Sequence, residues 1–256
     1  MGNLDLQPGA GAAQTATGLT QWQRVGNTFV APSKTFDDIK RGNTSWWLPF
    51  LISVVLTYML FAGITMRIGW QQVATNNMAM NPKQAQRMEQ LTPEQRAQGM
   101  KVAGVIIEIS MAATPVLILI FACLTSLILW GTINFGFGGK ATFQQIFAVN
   151  MYAYLPRTIV SIMATAAIFA GLAPDSFNLN NMAATNVAYF LSVQDTNRAL
   201  YALLSQIDII AIWVAILLSI GIAKVAGKNR SAGFISVFGW WAVWVLLLVA
   251  VAYVMS

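Results

Sequence analysis

A chain of 256 residues that is 57% hydrophobic and only 9% charged falls far below the roughly 25% charged share of soluble domains, which excludes a water-soluble globular fold. A bilayer solvates apolar side chains and leaves helices or closed barrels as spanning structures, and long apolar runs without period-2 alternation select helices. The fifteen Lys and Arg leave a formal charge of +6 but stand scattered at segment ends, which speaks against nucleic acid as a partner, and the absence of histidine removes imidazole bases and most zinc sites.

Residues 1–18, rich in Gly, Ala, Gln and Thr, lack the basic start and apolar core of a signal peptide and are expected to be disordered. In residues 19–45, Trp22, Val25, Phe29, Phe36 and Ile39 recur at mixed helical spacing around Pro32, among Arg24, Lys34, Lys40 and Arg41. That pattern predicts two short amphipathic helices lying along the cytoplasmic membrane surface. The first span is expected at 47–66, about the twenty residues that cross a hydrocarbon core of roughly 30 Å, with Trp46, Trp47 and Trp70 as interfacial anchors.

Residues 67–101 turn polar, and helix starts are legible at Asn81-Pro82 and at Thr92-Pro93-Glu94-Gln95, which combines capping-box spacing with Pro at the first helical position. A small extracytoplasmic helical loop is expected there. The second span is placed at 112–133, with Pro115 breaking or kinking what precedes it. Cys123 is the single cysteine and sits inside this apolar run, so no disulfide framework and no thiolate metal site are encoded.

Gly136, Gly138 and Gly139 predict a tight turn. A phosphate loop is excluded, because Asn134 occupies its first glycine position and Ala141 stands where Ser or Thr must meet magnesium. The next apolar stretch is divided by Pro156, giving a partial or interfacial helix and then a third span at 156–172. The last two spans are expected at 207–223 and 234–254, joined by a basic turn of Lys224, Lys228 and Arg230. Trp240, Trp241 and Trp244 read as belt and lipid-facing residues.

The fold class is therefore all-α, a polytopic membrane protein with about five crossings and interfacial amphipathic helices. An inside N-terminus groups Arg24, Lys34, Lys40, Arg41, Lys140, Arg157, Lys224, Lys228 and Arg230 against Arg67, Lys83, Arg87, Arg96, Lys101 and Arg198 outside, and puts Ser256 outside.

Three stretches taken together resemble the Yip family of Ypt/Rab-interacting membrane proteins, in its bacterial form. They are Phe29-Val30-Ala31-Pro32-Ser33-Lys34-Thr35-Phe36-Asp37-Asp38-Ile39 with Ser45-Trp46-Trp47-Leu48-Pro49; Ala141 to Val149 running on to Tyr154-Leu155-Pro156; and Ile207-Asp208-Ile209-Ile210-Ala211-Ile212-Trp213 with Leu217 to Gly221. The positions that carry the likeness are Pro32, Phe36, Trp47, Pro49, Pro156, Asp208 and Trp213. The resemblance implies five membrane helices, a cytosolic N-terminus, and action by binding partner proteins without catalysis. Some bacterial relatives look like accessory subunits of macrolide-efflux-type ABC exporters.

Charged groups within or beside spans are costly, on the order of 2.5–3.5 kcal/mol at a helix centre, which singles out Glu108, Arg157 and Asp208. Two readings stay open: pairing of Arg157 with an acid inside the bundle, or interfacial positions facing headgroups and water. Ser161, Thr165, Ala166, Ala167, Ala170 and Gly171 form small-residue faces suited to close helix packing, within the bundle or in a homo-oligomer. No cofactor and no catalytic residue is predicted. The expected role is a scaffold or accessory subunit in a bacterial cytoplasmic membrane, binding lipid and other membrane proteins. The alternative is a small transporter or channel with a site at the broken helices near Pro115 and Pro156.

Overall fold

The computed structural model describes residues 18–80, 82–193 and 195–254, and these form an all-α structure. Residues 1–17 of the expected disordered tail, Asn81 of one expected helix start, and Ser256 lie outside the described residues.

Two short helices, α1 (Gln21–Val30) and α2 (Pro32–Lys40), fold against each other as a hairpin. Thr20 and Gln23 cap α1 reciprocally, satisfying two amides that a helix start leaves orphaned. Pro32 opens α2, where its missing N–H costs nothing. Helix α3 (Trp47–Arg67) then runs 21 residues away from this hairpin. At its far end lie α4 (Trp70–Ala79), α5 (Pro82–Glu89) and α6 (Pro93–Ala112), the last started by the capping box of Thr92 and Gln95. A Cβ at Gly104 of α6 would stand 3.0 Å from the Gln71 amide nitrogen, so α4 and α6 pack backbone to backbone.

Helix α7 (Thr114–Gly131) continues from α6 across Ala113, with Pro115 in its first turn, so the break expected there falls between two helices. It closes in a π turn (Thr132–Gly136) and a tight glycine turn. Asn134 clamps that turn by donating to the Ala141 carbonyl at 2.9 Å and accepting from its amide at 3.0 Å. Helices α8 (Phe143–Ala153) and α9 (Thr158–Phe169) are joined by a single 3₁₀ turn, Leu155–Arg157. Pro156 supplies no N–H to the ladder, yet the rod carries on, so Phe143–Phe169 makes one apolar run of 27 residues. A long connection leads through α10 (Arg198–Ser205) to α11 (Ile209–Val225) and α12 (Arg230–Val254).

Among the described residues, four rods are long and apolar enough to cross a membrane: Trp47–Arg67, Thr114–Gly136, Phe143–Phe169 and Arg230–Val254. Helix α11 is apolar but has 17 residues, about 25 Å, short of a hydrocarbon core of roughly 30 Å. Relative to the hairpin, α3 leads away, α7 returns, the α8–α9 rod leads away, α11 returns to set Lys224 against Asp37, and α12 leads away. Large apolar side chains such as Phe121 (63% exposed) and Leu246 (68%) point outward, as a lipid-facing surface requires. The chain is a multi-pass membrane protein.

The main core lies at the hairpin end. It gathers Phe36 and Ile39 of α2, Ile146, Val149 and Tyr152 of α8, and Leu218 and Ile222 of α11. A second cluster at the far end joins Leu60 and Ile64 of α3 to Val73 of α4, Ile168 of α9 and Phe177.

Candidate functional site

The three stretches that carry the family resemblance are more than a hundred residues apart in places, yet they meet in the hairpin-end core. Phe36 is fully buried and its ring lies over Gly221 of α11, where an added Cβ would come within 3.0 Å of it. Phe29 of α1 meets Trp213 of α11 edge-on, with centroids 5.8 Å apart. Pro32 starts α2, Pro49 is buried in the first turn of α3, and Pro156 is buried in the 3₁₀ turn. Trp47 is 53% exposed and faces outward, whereas its neighbour Trp46 packs edge-on against Phe147, centroids 5.1 Å apart.

Around this core sits a polar knot. Arg24 of α1 and Asp38 of α2 are each 1% exposed, and Arg24 Nε lies 3.6 Å from Asp38 Oδ2. Arg24 Nη1 donates to the carbonyls of Asn43 (2.7 Å) and Ser45 (3.2 Å). Its guanidinium lies 5.2 Å from the centroid of the Tyr152 ring, and the Tyr152 hydroxyl donates to the Ser45 carbonyl. Asp38 also accepts from the Leu19 amide, Asn43 Nδ2 and Arg41 Nη2. A buried charge survives only when paired and hydrogen-bonded; Asp38 and Arg24 Nη1 meet both conditions, while Arg24 Nε has the ion pair with Asp38 and no hydrogen-bond partner, and together these contacts pin the linker 41–46 between hairpin and α8.

The sequence pattern concealed this knot. Arg24 and Thr28 occupy the buried positions of α1, while Trp22 is 69% and Val30 82% exposed. Apolar periodicity therefore points at Val25 and Phe29, which flank the buried row, and reads Arg24 as a solvated charge. The one legible hint is the Thr20-Gln23 cap immediately before Arg24, which fixes where α1 begins and hence its phase.

The structure brings together two of the three singled-out charges. Asp208 is buried and caps α11, its Oδ1 accepting from the Ala211 amide at 2.8 Å. Its Oδ2 accepts from Thr185 Oγ1 at 2.6 Å and lies 3.8 Å from Arg157 Nη1. Asp208 thus ties the start of α11 to the preceding loop and to the 3₁₀ break in the α8–α9 rod. Since α11 then runs about 25 Å before Lys224 meets Asp37, Arg157 stands well away from Lys224 and Lys228, whereas Arg24, over the Tyr152 ring, lies on its side of the bundle. Glu108 is not part of this cluster. It is half-buried on α6, with exposed Val105 and Ile109 as neighbours, and forms no ion pair among the described residues.

On α9, Ser161, Thr165 and Ala167 are half-buried and Ala166 exposed, and Ala170 and Gly171 just past its end are exposed, with Thr165 Oγ1 turned back to the Ser161 carbonyl at 2.7 Å. The row of α9 that is buried is Val160, Ala164 and Ile168, and α3 admits it at Gly63, where a Cβ would stand 3.3 Å from Phe169. The tightest crossings lie elsewhere, at Gly221 and Gly233. A Cβ at Gly233 of α12 would drive into the Ser219 carbonyl of α11.

Comparison with known families places residues 26–252 in the Yip1 domain. No curated protein and no solved structure matches.

Proposed function

The chain belongs to the Yip1 domain family, and on that premise we propose that it is a non-catalytic scaffold or accessory subunit that binds partner membrane proteins and lipid. The observation that carries this reading is the investment of charge in assembly. Arg24, Asp38 and Asp208 are buried and spent on fastening helix ends. The hairpin so fastened holds Trp22 and Val30 outward on one ridge of α1, a rigid apolar edge for contact with a neighbour. In a bacterial cytoplasmic membrane with the hairpin inside, that neighbour is a membrane complex such as a macrolide-efflux-type ABC exporter.

The test is purification from the native host in a mild detergent, with a photo-crosslinking residue at Trp22. Recovery of an ATPase, a permease and a periplasmic adaptor, with the ATPase or the permease linked through position 22, supports the reading. Isolation of the chain alone or as a homo-oligomer overturns the accessory-subunit role.

A second reading, a small transporter or channel, is favoured by one observation: the break at Pro156 lies beside the start of α11, and discontinuous helices mark substrate sites in secondary transporters. The space next to Asp208, about 370 Å³, is lined by Thr185, Asn186, Val187, Phe190, Ile207, Ile209 and Ile212 among others, a mostly apolar wall suited to lipid more than to a hydrophilic substrate. Flux of ions or small solutes through proteoliposomes holding the pure chain, abolished by Asp208→Asn, separates this reading from the first.

A further inference from the structure

At the hairpin end, three segments far apart in the chain surround a hollow of about 410 Å³: the end of α2, the glycine turn before α8, and the turn between α11 and α12. Lys40, Lys140 and Lys228, one from each segment, line it together with Gly138, Gln145 and Gly227. The acids of this end are already committed. Asp37 holds Lys224 at 3.0 Å, and Asp38 holds Arg24 and Arg41. None of the three lysines forms an ion pair among the described residues, and no carboxylate lines the hollow.

The walls are built. Gln145 Nε2 donates to the Lys40 carbonyl at 3.1 Å, and the Lys140 amide reaches the Ala226 carbonyl at 3.4 Å, so the three segments hold one another in place. Gly138 and Gly227 take left-handed conformations (φ 64° and 66°) that glycine adopts without steric cost. The Lys228 ammonium lies beside Gly138, 3.6 Å from where a Cβ would stand. Three lysines lining one hollow with no carboxylate among them repel each other, and an anion relieves that repulsion.

We propose that this hollow binds a phosphate group, and that the phosphate is the headgroup of an acidic phospholipid. Lysines grip phosphate as point charges without needing a planar fork. The hollow lies where three membrane rods end and Trp47 marks the interface, the depth at which lipid phosphates sit. The site rests on that membrane location and is independent of the scaffold reading.

The full chain, reconstituted in nanodiscs of phosphatidylcholine with phosphatidylglycerol, is released and its retained lipid counted by native mass spectrometry. Wild type is expected to keep phosphatidylglycerol in preference to phosphatidylcholine. The variant K40Q/K140Q/K228Q is expected to lose that preference by about tenfold or more, while K34Q/R87Q/K101Q, which removes as many charges elsewhere, keeps it. Equal retention by wild type and the first variant, or equal loss in both variants, overturns the site. Inorganic phosphate at millimolar concentration is the second arm: displacement of the lipid from wild type reassigns the hollow to free phosphate and overturns the lipid source. Single variants K140Q and K228Q, checked for an unchanged melting temperature, each show a partial loss if the site is right and none if it is wrong.

Discussion

Arg24 and Asp38 face each other across the N-terminal hairpin with both side chains sealed from solvent, Nε to Oδ2 3.6 Å apart. Removing one partner of such a pair strands a buried charge, which costs about 3–5 kcal/mol, whereas replacing both with apolar groups of similar volume is far milder. Asp38→Ala is therefore expected to loosen the hairpin, speeding trypsin cleavage at Lys34 in detergent and lowering the melting temperature. The double variant R24M/D38L should recover much of both. A single variant that melts with wild type would show that the hairpin is not held by this pair.

Close approach at Gly233 and Gly221 yields a second prediction. Gly233→Val pushes a side chain into the Ser219 carbonyl, and Gly221→Val meets Val149 and Phe36, so each should cost at least about 1–3 kcal/mol as overpacking. Gly239, on the same helix as Gly233, has nothing within 4 Å of an added Cβ. Gly239→Ala should be neutral or stabilising by up to about 1 kcal/mol through helix propensity. Thermal melts of the three variants check the ranking, and a loss at Gly239 equal to that at Gly233 would refute the seam.

These two cases mark what was readable from residues alone. The apolar runs of α3, α7 and α12 are signals of bulk hydrophobicity, and the cap at Thr92 is local, so both survive without knowledge of the tertiary fold. The resemblance was readable too, because Phe29, Phe36 and Trp213 converge on one core and their identity is constrained by it. Arg24 was not readable, since its burial depends on Asp38 of α2, the Asn43 and Ser45 carbonyls of the linker and Tyr152 of α8 arriving together. Likewise the small residues singled out on α9 face outward or sideways, while Gly221 and Gly233 do the close packing. Spacing locates small residues but not the neighbour that approaches them; the α11–α12 crossing at Gly233 and the approach of Phe36 and Val149 to Gly221 settle which ones matter.

Asp208 and Arg157 are predicted to differ sharply in weight. Asp208→Ala removes the α11 cap and the Thr185 partner together, a loss of about 1–2 kcal/mol for the cap alone. Asp208→Asn keeps an acceptor for the Ala211 amide and should lie close to wild type. The Arg157 side chain is 53% exposed and 3.8 Å from the carboxylate, so Arg157→Met should cost under about 1 kcal/mol. Melting curves of the three variants in one detergent decide the order, and an Arg157→Met loss as large as that of Asp208→Ala would move the weight to the ion pair.

Cys123 provides a natural probe of the membrane slab. It is exposed on α7, ten residues from Ile133 and so about 15 Å from that end of the rod, among apolar side chains that face lipid. Thiols react as thiolates, and neither a thiolate nor a charged maleimide enters hydrocarbon readily. Cys123 should stay unlabelled by a membrane-impermeant maleimide in sealed vesicles and in opened ones, and become labelled once the chain is denatured in SDS. In a Cys123→Ser background, Lys34→Cys and Lys228→Cys should react from one face of the vesicle and Glu94→Cys from the other, because the hairpin and the α11–α12 turn share one end of the bundle and the start of α6 lies at the opposite end. Labelling of Lys34→Cys and Glu94→Cys from the same face would contradict the passage of α3 across the bilayer, and with it the placement of every later helix.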